Sequence, residues 1–181
     1  VYFLLVAEAT GSPVDLRFKT ADDNTPDTNN PIPIVAANIK YSYWKHLYLK
    51  CSVAPDTQIN NVKVYRGGSS PSWTGVVLYS GDENPTNVIE AAGGYEQASG
   101  TVGDTGYPAT GVGGHTVINT WTDFDTFTSG APRTVTIGGD TLIQASGETT
   151  NYVVFQMTVD GDTASPGDLA DMTITWQYDE I

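Results

Sequence analysis

Hydrophobic and polar positions alternate with a period of two at the end of the chain. Between Asp171 and Ile181, Met172, Ile174, Trp176 and Tyr178 point one way, and Thr173, Thr175 and Gln177 the other. Successive side chains of a strand project to opposite faces, so this alternation predicts a half-buried strand. Asn151 to Asp160 is dense in β-branched and aromatic residues and predicts a second, separated from the first by turn residues Gly161 to Gly167. Tyr41 to Val53 is the longest strand candidate. Tyr41, Tyr43, Leu47, Leu49, Cys51 and Val53 share one face with Lys45, while Ser42, Trp44, His46, Tyr48 and Lys50 occupy a more polar face. Ala54-Pro-Asp-Thr57 is a turn, which makes Ile59 to Tyr65 the partner of a predicted hairpin.

Val1 to Ala9 is a continuous apolar run ending before Gly11-Ser12-Pro13. It predicts a strand buried on both faces or paired across a subunit boundary. Shorter strands are predicted at Val14–Lys19, Gly75–Ser80, Thr116–Trp121, Arg133–Ile137 and Thr141–Ala145. Thr20 to Pro33, rich in Pro, Asp and Asn, is a long loop. Residues 93–114 hold eight Gly in 22 positions and form an excursion longer than a plain connector. Roughly ten short strands without an amphipathic helix predict an all-β chain. The expected architecture is a single-domain β-sandwich or jelly roll over residues 1–181, with long loops. Its core should include Leu47, Leu49, Val153, Phe155, Met157, Ile174 and Trp176.

Composition agrees: Gly and Pro together make 29 of the 181 residues, as many short strands and turns require. Charge adds an asymmetry. Residues 1–66 hold seven of the eight Lys and Arg against six acids, a balance of +1. Residues 67–181 hold Arg133 against fifteen acids, a balance of −14. Acidic surfaces keep a protein soluble, and such a split also favours contact between a less acidic face and an acidic face of another copy. Direct nucleic-acid binding is disfavoured, because no basic stripe is present to neutralise phosphates. No stretch is apolar over the length a helix needs to cross a membrane. Val1 to Ala9 is too short for a signal peptide and has no charged leader. Cys51 stands alone in an apolar strand pattern and is expected to be a buried, inert thiol.

Little in the sequence points to catalysis. His46 and His115 cannot make a multi-histidine metal site, and no nucleophile elbow or phosphate loop occurs. No cofactor is expected. Asp22, Asp23 and Asp27, with Asn29, share one Pro-bounded loop and are weak calcium candidates, since hard cations take several oxygen ligands. Asp160 and Asp162, with Asp168 nearby, form a second acidic turn of the same kind. Asp123 and Asp125 flank Phe124 beside Trp121. A glycosidase needs two carboxylates across a sugar, and on one strand these two would share a face about 7 Å apart. Trp44, Trp73, Trp121 and Trp176 could stack on a sugar, although core or interface packing is the commoner use of such residues.

Two stretches carry a resemblance. One is Asn38-Ile-Lys-Tyr-Ser-Tyr-Trp-Lys-His-Leu-Tyr-Leu-Lys-Cys-Ser-Val-Ala-Pro-Asp-Thr-Gln-Ile-Asn-Asn-Val-Lys-Val-Tyr65. The other is the ending, with Asn-Tyr-Val-Val-Phe-Gln-Met-Thr-Val and Ile-Thr-Trp-Gln-Tyr-Asp-Glu-Ile181. Both resemble β-rich structural proteins of tailed viruses, particularly accessory capsid-surface and tail proteins. The resemblance covers about a third of the chain and implies a non-enzymatic, multi-copy virion component made in the host cytoplasm. Its partners would be further copies of itself and other virion structural proteins. The expected interface residues are Tyr2, Phe3, Leu4, Leu5 and Val6 in the N-terminal run, and Tyr95 and Tyr107 in the Gly-rich excursion. Two alternatives stand beside it: an extracellular or cell-surface filament subunit assembled by strand addition, and a carbohydrate-binding module with a glycan ligand.

Overall fold

The computed structural model describes residues 3–6, 16–19, 29–42, 45–83, 119–137, 142–167 and 169–181. The strands among them are β1 (Phe3–Val6), β2 (Ile39–Tyr41), β3 (Lys45–Cys51), β4 (Ile59–Gly67), β5 (Val76–Glu83), β6 (Asn119–Asp123), β7 (Arg133–Thr134), β8 (Tyr152–Asp160) and β9 (Thr173–Glu180). A 3-10 turn, Phe124–Thr126, is the helical element among the described residues. The all-β expectation holds.

Two antiparallel sheets form. The larger runs β1-β3-β8-β5-β6, with β2 added to β8 beyond the end of β3; the smaller runs β7-β4-β9. Leu47, Leu49, Leu78, Val153, Phe155 and Met157 of the larger sheet pack with Ile59, Val62 and Val64 of β4, with Val135, Ile137 and Ile143, and with Phe124. Ile174 and Trp176 of β9 lie half-buried against that cluster. The expected core residues are therefore at the sheet interface, five of them buried and these two at its margin. Phe155 is 0% exposed and meets Phe124 edge-on, with ring centroids 5.0 Å apart.

The single strand predicted over Tyr41–Val53 is instead two. Tyr41 pairs with Thr158 and Lys45 with Phe155, so the register along β8 shifts by one residue between β2 and β3. The shift is a bulge and reverses the alternation. Lys45, Leu47, Leu49 and Cys51 share the core side, but Tyr41 pairs beside Thr158 on the opposite face. Ser42 holds the break together. Its N–H donates to the Met157 carbonyl at 2.9 Å, its Oγ accepts from the Met157 N–H at 3.0 Å, and its carbonyl accepts from Gln156 Nε2 at 3.0 Å. Val53 lies past the strand and is 55% exposed.

The hairpin predicted between this strand and Ile59–Tyr65 does not form. β3 pairs with β1 and β8, whereas β4 pairs with β7 and β9, so residues 52–58 carry the chain from one sheet to the other. A second bulge lies in β4 between Asn60 and Lys63. Asn61 sits there in the left-handed region (φ 52°), a conformation Asn tolerates better than most residues, and its Nδ2 donates to Asp179 Oδ2 at 2.7 Å. The phase change lets Ile59, Val62 and Val64 all face the core. Residues 16–19 carry no strand, contrary to the expectation for Val14–Lys19. Of the regions predicted at 133–137 and 141–145, the described part is β7 and the isolated bridges Ile59↔Ile143 and Ile137↔Thr150. β5 runs further than expected, to Glu83.

At the end where β3 finishes, Glu148 closes a turn. Its Oε2 accepts the amides of Gln144 at 2.5 Å and Ala145 at 3.0 Å, and its carbonyl accepts from Cys51 N–H at 2.9 Å. These amides favour the ionised carboxylate and hold Glu148 below its ordinary value. Cys51 is 0% exposed, and burial pushes its thiol up, as expected of an inert cysteine.

Two predictions follow from this packing. Phe155→Ala should cost about 3–5 kcal/mol and Val53→Ala almost nothing, read from urea melts. Glu148 contributes stability that is present above its unfolded value near 4.5 and is lost as pH falls through the lowered folded value. Glu148→Gln should therefore lower stability at neutral pH, where the charged acceptor is lost, and make little difference well below about pH 4.5, so that the acid limb flattens; an unchanged acid limb would refute the assignment.

Candidate interaction surfaces and the Asp125 corner

The N-terminal run forms β1, which pairs antiparallel with β3 in register Phe3↔Cys51 to Val6↔Tyr48. Phe3-Leu-Leu-Val6 has no polar position. β1 ends the order of its sheet, so its far edge meets no described strand. Exposed Lys50 lies beside Leu4. Of the residues expected at interfaces, Phe3, Leu4, Leu5 and Val6 are thus placed on a sheet edge. Tyr2, Tyr95 and Tyr107 lie outside the described residues, as do the calcium candidates Asp22, Asp23 and Asp27. β5 and β6 fix where the excursion departs: Asp82 pairs with Asn119, so the chain leaves Glu83 and returns at Asn119 on neighbouring strands.

The Asp123/Asp125 pair does not lie on one strand. Asp123 ends β6 and Asp125 belongs to the 3-10 turn. Asp123 Oδ1 caps that turn by accepting the Asp125 N–H at 3.0 Å, and its carbonyl accepts the Thr126 hydroxyl at 2.6 Å. Asp125 forms an ion pair with Arg66 Nε at 2.6 Å and accepts the Ser70 hydroxyl at 2.8 Å. The Arg66 side chain is 10% exposed and that of Asp125 37%, so the pair is half-buried and screened on its carboxylate side. Arg66 Nη1 also donates to the Gly68 carbonyl, and its N–H to the Phe127 carbonyl at 3.0 Å. Both carboxylates serve the corner where β4 turns, and neither stands across a gap from the other as a glycosidase pair would.

A pocket of about 160 Å³ opens beside this corner, lined by Trp73, Val76, Leu78 and Met172 and, on its polar side, by Ser70, Ser72, Asp123 and Asp125. Trp73 Nε1 donates to the Ala170 carbonyl at 2.9 Å, which fixes the indole. Ser72 is held at φ 53° with its N–H on Ser70 Oγ at 3.2 Å. Sequence reasoning singled out Trp73, Asp123 and Asp125 but not Arg66, Ser70 or Met172. Of the other tryptophans, Trp176 packs against the core, and Trp44 lies outside the described residues.

The second acidic turn is closed on itself. Asp160 accepts Asp162 N–H and Thr163 Oγ1–H, each at 3.0 Å, and Asp162 Oδ1 accepts the Ala37 N–H at 2.7 Å. Gly161 permits this contact, since a Cβ there would fall 1.9 Å from the Val35 carbonyl oxygen. Among the described residues no three His, Cys, Asp or Glu side chains gather as a metal site would require. Asp168 and His115 lie outside the described residues.

Asp125→Asn should cost about 1 kcal/mol in urea melts, because Arg66 keeps its carbonyl partner but loses the charge beside it. No change would show that the ion pair is fully screened. Compared with family models, curated proteins and solved structures, the chain matches none.

Proposed function

We propose that this chain is a non-enzymatic structural protein of a virion, a multi-copy capsid-surface or tail component that works through protein–protein contacts. The observation that supports this most is β1: a continuous apolar strand at the rim of the larger sheet, held on one side by β3. An edge strand offers a row of backbone donors and acceptors to a neighbouring chain. An apolar one gains further from being covered. The charge split gives such contacts a sign preference, since β1 and β3 lie in the near-neutral part of the chain and residues 67–181 carry −14. Repetition of a modest contact over a shell or tail adds avidity.

A filament subunit assembled by strand addition uses the same edge and is the second reading. Electron microscopy of purified native material separates the two, since shells or tails favour the virion and bare filaments the alternative. A glycan ligand draws support from Trp73 and its pocket, which is below the usual size of a ligand site and fits at most a single small ring.

Deleting residues 1–6 should leave a folded protein with β3 as the new edge, and should abolish incorporation into particles. Circular dichroism and particle co-sedimentation read the two effects separately. Incorporation at the full level, with folding intact, would remove β1 from the contact.

A further inference from the structure

The smaller sheet ends in a second edge. β9 is the outermost strand of the order β7-β4-β9 and runs eight residues, Thr173–Glu180, without Pro, Gly or Lys. Natural edges are usually blunted by those residues or kept short. The hydrogen bonds to β4 fix which of its backbone groups face outward. Ile181 and Gln58 exchange both bonds, at 3.0 and 3.1 Å, so Ile181 faces β4. Ile59 instead exchanges both bonds with Ile143, and its partner on β9, Glu180, therefore faces away. At the other end, Arg66 gives its N–H to Phe127, so its β9 partner Ile174 also faces away. Alternation adds Trp176. The even-numbered positions of β9 turn their N–H and C=O groups outward, and no described strand meets those of Ile174, Trp176 and Glu180.

The geometry points to a two-fold dimer in which β9 pairs antiparallel with β9 of a second copy, centred on Gln177. Outward groups meet only if even positions face even positions. Centring on Gln177 sets Ile174 opposite Glu180 and Trp176 opposite Tyr178, and uses the strand over its whole length. On the exposed face, Asp179 falls opposite Thr175 and Thr173 opposite Ile181, so acids meet neutral residues. Parallel pairing in register would set Asp179 and Glu180 against their own copies, which is destabilising. Antiparallel pairing thus satisfies the charge pattern of the strand with a second copy of itself, and joins two three-stranded sheets into one. The net charge of −13 on each copy opposes association, but is screened beyond about 8 Å at physiological ionic strength.

Gln177 lies on the axis, in a pair that shares no backbone hydrogen bonds, where Cα atoms approach to about 4.5 Å. That separation suits a disulfide. This contact extends the assembly reading without resting on β1, because residues 1–6 can be removed with β9 intact. The full-length protein is examined by sedimentation at micromolar concentration and physiological ionic strength, and by non-reducing gel after mild oxidation. The wild type should sediment as a dimer, and buried Cys51 should give no covalent product. Gln177→Cys should close into a covalent dimer and Thr173→Cys should not, since Thr173 faces Ile181. Gln177→Lys, which sets two like charges together, should weaken the dimer about fivefold. A monomeric wild type, a dimer that Gln177→Cys fails to cross-link, or equal cross-linking by Thr173→Cys would overturn the proposal. Loss of particle incorporation on deleting residues 1–6, with the dimer retained, would leave it standing.

Discussion

Everything in this fold is arranged around the burial of β8. From Val153 to Val159 no residue of that strand is exposed: Val153, Phe155, Met157 and Val159 face the core, and Val154, Gln156 and Thr158 are buried on the other side. A strand covered on both faces cannot leave backbone groups to water, so both flanks must be paired along its length. β5 does this on one side in an unbroken register from Val76↔Val159 to Glu83↔Tyr152. On the other side the task is divided between β2 and β3, and Ser42 supplies backbone and hydroxyl partners at the join. The remaining edges are pushed outward, to β1 and β6.

The smaller sheet completes the core, and its contribution depends on a change of phase. Without the extra residue at Asn61, β4 would turn either Ile59 or the pair Val62 and Val64 away from the larger sheet. The left-handed Asn61 resolves the conflict, and its bond to Asp179 ties the irregularity to β9. Strict alternation then continues along β9, which is why its outward-facing backbone groups are regularly spaced.

These phase changes mark the boundary of what was legible in the sequence. Period-two patterning locates β8, β9 and the Lys45–Cys51 segment, and puts Leu47, Leu49, Phe155 and Met157 correctly in the core. It cannot see an inserted residue, so it carried the face of Tyr41 wrongly across residues 42–44 and extended the strand to exposed Val53. The Asn60-Asn61 pair inside an apolar strand was an available signal for a left-handed position. Strand partners were less legible still: a Pro-containing turn between two strands reads as a hairpin, but here the chain crosses between sheets, β3 pairing with β1 and β8 and β4 with β7 and β9. At the Asp125 corner the two acids were visible as a spacing, whereas the deciding partner, Arg66, lies 59 residues away in sequence. A carboxylate pair acquires meaning only from such distant donors, and here they give it a structural use.

Charge and edges belong to one physical account. A long edge strand without Pro, Gly or Lys invites indiscriminate pairing, and this chain has one in β9 and a short, more apolar edge in β1. Blunting residues are missing from β9, but Asp171 precedes it and Asp179 and Glu180 end it, in a part of the chain that carries −14. Acids at one end of a strand do not forbid pairing. They discriminate between registers, because parallel alignment stacks them while a centred antiparallel alignment sets each against a neutral residue. The apolar edge of β1 has no such filter on the strand itself. Under the proposed assembly, one edge is therefore selective by its own charge pattern and the other by the shape and sign of the surface it meets, which keeps the two contacts distinct.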